Sequence, residues 1–193
     1  MRLACLILAS VSFAFASHAQ DQFRAFASTV DMIEGGRVDT MVVVTGTERL
    51  TTRIPRGYAA RVDVFEKSVI FTDKTNGAIA ITLQVTTNSP GVMPDEDTMR
   101  DKALAANPGG SFLQLASCST GYQPARFVDT FRRIAEGLSI KTRHAFIACP
   151  EGTVEFVLRA NGEGFDQGRQ VFNLLMSSFR MEQVKKPEPP PAP

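Results

Sequence analysis

The chain has no tryptophan and only two tyrosines among its 193 residues. Carbohydrate binding, which often stacks sugars on those rings, finds no support here. Histidine is nearly absent as well. His18 falls within a stretch that reads as a leader, so His144 alone remains afterwards, and mechanisms needing two histidines, common zinc sites included, are excluded. Three cysteines are present, with no CxxC spacing, which leaves thiol oxidoreductase chemistry a minor possibility. Charge of either sign is not in excess: 21 Lys and Arg stand against 20 Asp and Glu. Nucleic-acid binding, which needs a strong positive balance, is not expected. Nor does any polybasic run suggest a membrane contact.

What is present starts with an export signal. Arg2 supplies a positive start, Leu3 to Phe15 is an apolar run without formal charge, and Ser17-His18-Ala19 gives the small-x-small pattern cut by leader peptidases. Cleavage is expected before Gln20. Such a run is shorter than the roughly 17 to 25 residues of a stable membrane-spanning helix, so the mature chain is expected to be periplasmic or secreted, without a transmembrane segment. Loss of Arg2 then brings basic and acidic residues level. Cys5 leaves with the leader and lies too near the start to be a lipid attachment site. The residues divide into a leader (1–19), a single domain (20–182) and a Pro-rich tail (183–193), since the mature length suits one domain and is small for two.

In an oxidising compartment the remaining pair, Cys118 and Cys149, is expected to form a structural disulfide. It would close a loop of about thirty residues and contribute roughly 3 to 4 kcal/mol.

Local patterns set the expected elements. Phe23, Phe26, Val30 and Ile33 recur at helical spacing up to Gly35-Gly36, predicting a short amphipathic helix. Strands are expected at Asp39–Thr45, Arg49–Ile54, Val62–Phe65, Val69–Thr72 and Ala78–Thr86, with turns at Pro55/Gly57 and at Asp73 to Gly77. Pro94 followed by three acids predicts a helix to about Ala106, ended by Asn107-Pro108-Gly109-Gly110. Phe112–Cys118, Arg126–Ile134, Ile140–Cys149 and Val154–Ala160 read as an antiparallel meander. Phe165, Gly168, Phe172, Leu175, Met176 and Phe179 then fall on one face of a final helix. The fold class is α+β, a mostly antiparallel sheet with helices packed on it. The tail Lys185 to Pro193 is expected to be extended and mobile.

Each residue cluster with chemical potential also has a structural explanation. Gly162, Gly164 and Gly168 lack GxGxxG spacing and a following βα unit, so they read as a hairpin end and a close helix contact. Asp95, Glu96, Asp97 and Asp101 lack the alternating ligands of a calcium loop and read as a solvated helix start. Ser119, His144 and Asp129 permit a hydrolase triad, but no Gly-x-Ser-x-Gly elbow frames any serine. Arg126, Arg132, Arg133, Lys141 and Arg143 form a basic strip that strand alternation should split between two faces. No catalytic, cofactor-binding or metal-ligating residue is therefore assigned, and no cofactor is expected.

Ile54-Pro55-Arg56-Gly57-Tyr58, the strand Val154–Ala160 and the helix from Phe165 to Phe179 resemble corresponding parts of the PsbP-like α/β/α family. The resemblance spans Ile54 to Met181 and implies a PsbP-like sandwich. That family consists mostly of non-enzymatic binding modules, with partners ranging from a GTPase to photosynthetic and secretion complexes. For this chain it implies an exported binding or accessory module of a bacterial envelope, acting through an envelope protein partner. The alternatives are a small periplasmic hydrolase using His144 and a thiol-redox protein using Cys118/Cys149.

Overall fold

The structure, a computed structural model, describes residues 23–31, 36–75, 77–87, 91–150 and 152–184. The leader (1–19), Ile33, Gly35, Asn76 and the tail from Lys185 lie outside the described residues. Eleven strands and two helices follow in the order β1(Arg24–Asp31), β2(Arg37–Thr45), β3(Glu48–Arg53), β4(Tyr58–Asp63), β5(Ser68–Asp73), β6(Ala80–Thr86), α1(Glu96–Ala105), β7(Ser111–Ser119), β8(Pro124–Ala135), β9(Leu138–Cys149), β10(Gly152–Asn161), α2(Phe165–Ser178) and β11(Arg180–Gln183). The described residues are sheet-rich, with two helices among them.

One sheet was expected, and two are found. A four-stranded sheet runs β1-β2-β3-β11 and a seven-stranded sheet runs β4-β5-β6-β10-β9-β8-β7, every neighbouring pair antiparallel. The switch between them is made by Pro55-Arg56-Gly57. Tyr58 N donates to Pro55 O at 3.0 Å, and Gly57 takes φ +84°, a conformation with little cost only for glycine.

Two further expectations are corrected. The segment from Phe23 forms strand β1 instead of a helix. Phe26 and Val30 are four apart, a spacing that also places both on one side of a strand, while Phe23 and Ala25 reach the core on the other side. Strand β4 begins at Tyr58 and ends at Asp63, so Val64 and Phe65 sit in the following turn, where Asp63 Oδ1 accepts from Glu66 N. Ala59, Ala60 and Arg61 give β4 no apolar alternation to detect. Past residue 182, Gln183 pairs with Glu48 and Val184 N donates to Thr47 O at 2.7 Å.

Helix α2 lies between the two sheets, packing on β10 and β6 of the large one and β3 of the small one. Its apolar stripe allows this: Phe165, Gly168, Phe172, Leu175 and Met176 are all buried. Phe156 of β10 meets Phe172 and Phe179 edge to face, at centroid distances of 6.3 and 5.4 Å. On the small-sheet side, where Met41, Val43 and Leu50 share the core with α2, polar contacts are added. Thr52 Oγ1 donates to Leu175 O at 3.0 Å, and Arg53 N donates to Ser178 Oγ at 3.1 Å. Helix α1 covers the opposite face of the large sheet, with Met99 and Ala103 against Val128 and Phe146. Asp95 caps it by accepting from Thr98 N at 2.7 Å, which satisfies one of the free N-terminal amides.

Gly152, at the start of β10, lies where a Cβ would stand 1.9 Å from Thr86 O, a backbone atom. Gly152→Ala should therefore lower unfolding free energy by about 3 kcal/mol or more. Phe172→Ala should cost about 3 to 5 kcal/mol by opening a cavity between the sheets. Urea denaturation measures both, and a loss below about 1 kcal/mol for Phe172→Ala would contradict the sandwiched position of α2.

Candidate functional site

The residues singled out by sequence are dispersed by the fold. His144 faces α1, directly across from Val128 on β8 and Val157 on β10. Asp129, directly across from Arg143, faces the other side of the sheet, where Arg143 lies over the Phe127 ring. Its carboxylate accepts from Arg143 Nε at 2.8 Å, Arg143 Nη2 at 2.7 Å and Gln114 Nε2 at 2.7 Å. The Ser119, His144, Asp129 triad is thus corrected: two members occupy opposite faces of one sheet, because adjacent strand positions alternate. His144 is only 3% exposed, and neither ring nitrogen has a hydrogen-bond partner. Burial, reinforced by the Lys102 ammonium, lowers its pKa from 6.5 to about 4, with Asp129 pulling weakly the other way. Such a ring stays neutral at ordinary pH and has no route to a substrate.

The expected disulfide between Cys118 and Cys149 is not formed in the structure. Both are present as thiols. Strand β8 separates β7 from β9, so the two cysteines stand two strand spacings apart, roughly 9 to 10 Å, before their offset along the strands is counted. A disulfide needs Cα atoms within about 7 Å. Burial raises the Cys118 thiol pKa above 9.0, opposed by Arg143, which disfavours the reactive thiolate.

The remaining clusters take their structural roles. Gly168 is the close helix contact, where a Cβ would meet Leu158 Cδ1 at 2.7 Å, and Gly164 N donates to Asn161 Oδ1 at the hairpin end. Glu96 pairs with Arg126, and Asp97 with Arg100, beside the Asp95 cap. The basic strip is split: Arg132 donates to Pro108 O next to α1, while Lys141 and Arg143 lie over Phe165 and Phe127 on the α2 side. Lys102 and the buried Glu155 form an ion pair under α1.

The site that sequence alone missed lies on the outer face of the small sheet. A concavity of about 320 Å³ is lined by Ser28, Val30, Val38, Thr40, Val42, Arg49, Thr51, Arg53, Ser178, Arg180 and Glu182, with Thr52 at its margin. Strand register orders it. Phe26, Val42, Thr51 and Arg180 lie in one cross-strand row, and Ser28, Thr40 and Arg53 in the next. Arg49 and Arg53 flank Thr51 along β3, so three guanidinium-bearing positions surround one hydroxyl. Phe26 and Val30 are half exposed beside them. Among the described residues neither Arg49 nor Arg53 has a carboxylate within ion-pair distance. Arg180 is held by neutral groups: its Nη1 donates to Ser177 O and Phe179 O at 3.0 and 2.9 Å, and its guanidinium lies 3.7 Å from the centre of the Tyr122 ring. The arrangement keeps a fixed cation beside apolar floor and hydroxyls, and it can receive a negatively charged, partly apolar group.

No family model matches the chain, and no curated protein matches it. Among solved structures it resembles the solution structure of cyanobacterial PsbP (CyanoP) from Synechocystis sp. PCC 6803, with TM-score 0.42 and 10% identity over 86% of this chain and 96% of that one. It is also similar to a crystal structure from Bacteroides thetaiotaomicron VPI-5482, with TM-score 0.46 and 12% identity. That match covers 71% of this chain and 46% of the other, less than half its length. Among the described residues no helix is long and apolar enough to cross a membrane.

Because His144 binds its proton near pH 4 when folded and near 6.5 when unfolded, the unfolded chain holds more protons between those values. Its contribution to stability is complete above about pH 6.5, is lost as pH falls toward 4, and is level below that, a change of roughly 3 kcal/mol. Chemical denaturation across this window should show the loss, and His144→Leu should flatten that part of the profile. An unchanged profile in the variant would contradict the burial of a neutral ring. For the cysteines, peptide mapping of unreduced protein should find no linked Cys118 and Cys149 peptides.

Proposed function

We propose that the protein is an exported, non-catalytic binding module of a bacterial cell envelope, cleaved before Gln20, with residues 20–182 and the β11 extension as its working part. The observation that carries this reading is the outer face of the small sheet. It is concave, open to solvent and lined by arginines without carboxylate partners, whereas His144 and Cys149 are buried and the half-buried Cys118 has a raised thiol pKa. Uncompensated cations beside half-exposed Phe26 and Val30 suit recognition, since they leave both charge and apolar area to be covered by a partner.

The test is expression with the leader intact, followed by intact mass and affinity capture from the native envelope. The mature mass should begin at Gln20, and one protein should be enriched in stoichiometric amount. An uncleaved chain recovered from the cytosol, or turnover of a generic ester with no enriched protein, would overturn the reading.

A further inference from the structure

Four strands stand at the sheet edges among the described residues: β1 and β11 in the small sheet, β4 and β7 in the large one. An edge leaves a row of backbone N–H and C=O groups without strand partners, and proteins guard it with charges, bulges or shortness. Three of these edges are guarded in that way. Strand β4 carries Arg61 and Asp63, β7 is interrupted by a bulge between Phe112 and Gln114, and β11 has only four residues, Arg180 and Glu182 among them. Strand β1 is not guarded. It runs for eight residues, its charges stand only at its ends, Arg24 and Asp31, and its register with β2 is unbroken.

The same strand also leaves the core. Phe23 and Ala25 reach inward, but Ala27, Thr29 and Asp31, next on that face, are exposed, and so are Asp39 and Arg37 opposite the last two. The end of the β1–β2 hairpin thus has solvent on its inner face, and a two-stranded ribbon gains little stability alone. On the outer face Phe26 and Val30 are 50% and 46% exposed, one on each side of Ser28. This spacing is self-complementary. When β1 meets an antiparallel copy of itself about a two-fold axis at Ser28, Phe26 of each copy lies opposite Val30 of the other, an aromatic and β-branched pair, and Ser28 faces Ser28. Ala27 then faces Thr29 and Ala25 faces Asp31, so no charge meets another of its own sign. An axis at Ala27 would instead set Phe26 against Ser28 and Arg24 against Val30, apolar against polar along the outer face.

We infer that β1 pairs antiparallel with β1 of a second copy of this chain about Ser28, joining the four-stranded sheets of the two copies into one. The pairing extends the outer concavity as well as the sheet. Ser28 and Val30 line that concavity, so Phe26 of the second copy is added beside Val30 at its margin. Arg53, Thr40 and Ser28 form one cross-strand row, and the axis continues it into Ser28, Thr40 and Arg53 of the other copy, with the two Arg53 positions five strand spacings, or roughly 24 Å, apart. Pairing over residues 25–31 of each copy buries on the order of 1,000 Å² in all, the low end for a specific interface, which suits a reversible dimer. The inference goes beyond the binding-module reading and stands without it.

The test is sedimentation equilibrium of the purified protein from about 1 to about 200 µM, together with cysteine cross-linking. The mass should rise from one chain toward two across this range. Because the two-fold axis doubles every change, Phe26→Lys removes two cross-strand pairs and should weaken the dimer about tenfold, with an unchanged circular dichroism spectrum since Phe26 is half exposed. Adding Val30→Glu should restore the dimer to within about threefold, each introduced ammonium facing an introduced carboxylate of the other copy, a recovery that a role in folding alone would not give. Under mild oxidation Ser28→Cys should cross-link to itself, its Cα atoms about 4.5 to 5.5 Å apart across the axis. Ala25→Cys, roughly 20 Å from its counterpart, should react no faster than the unsubstituted chain with Cys118 and Cys149. Cross-linking decides the question if Phe26→Lys fails to fold. A single-chain mass at about 200 µM, a dimer indifferent to Phe26→Lys, or equal cross-linking of Ser28→Cys and Ala25→Cys would overturn the inference. A chain that stays single until another envelope protein is added, and whose Ser28→Cys thiol is then shielded from labelling, would give the edge to that protein and overturn it too.

Discussion

The structure depends on one helix burying apolar surface against two sheets at once. An ordinary surface helix has a single apolar stripe and one sheet to cover. Helix α2 packs Phe165, Phe172 and Met176 among residues of β10 and β6, and it also supports β3 through Leu175 and Ser178. Without it, the four-stranded sheet would expose Met41, Val43 and Leu50, and its joining segment at Pro55 to Gly57 would be the main remaining link to the rest of the chain. The edge-to-face contacts of Phe156 with Phe172 and Phe179 lock this arrangement in place.

The recognition surface follows from the same constraint. Thr52 and Leu50 turn inward toward α2, so strand alternation turns Arg49, Thr51 and Arg53 outward. The chain leaving α2 at Phe179 then forms β11 beside β3, which delivers Arg180 next to Thr51. Carbonyls at the end of α2, together with Tyr122 from the β7–β8 loop, hold that arginine in place. A helix that fixes the core thus also fixes the charge pattern on the face farthest from it.

Elements with strong local signals were legible in the sequence. Pro94 and the acids after it marked α1, the stripe from Phe165 marked α2, and the apolar runs Arg126–Ile134, Ile140–Cys149 and Val154–Ala160 marked the meander of β8, β9 and β10. Strand β1 was not legible, because a four-residue spacing of Phe26 and Val30 serves both helix and strand periods. Strand β4 lacked alternation, and the division into two sheets depends on which strands pair at long range. The spacing of the two cysteines was hidden for a related reason: sequence distance gave a plausible loop, while strand β8 stands between their strands. The outer concavity was hidden because Arg49 and Arg53 become a site only when Arg180 arrives from the far end of the chain.

The central claim is that α2 couples the two sheets into one cooperative unit with a rigid outer face. Native-state hydrogen exchange resolves this directly, by comparing amides of β3 with those of β9 and β10. The account predicts that Leu50 and Thr52 amides open with the same free energy as Phe146 and Phe156, that of global unfolding. Exchange of the β3 amides through a separate, low-energy opening, with β9 and β10 still protected, would contradict it.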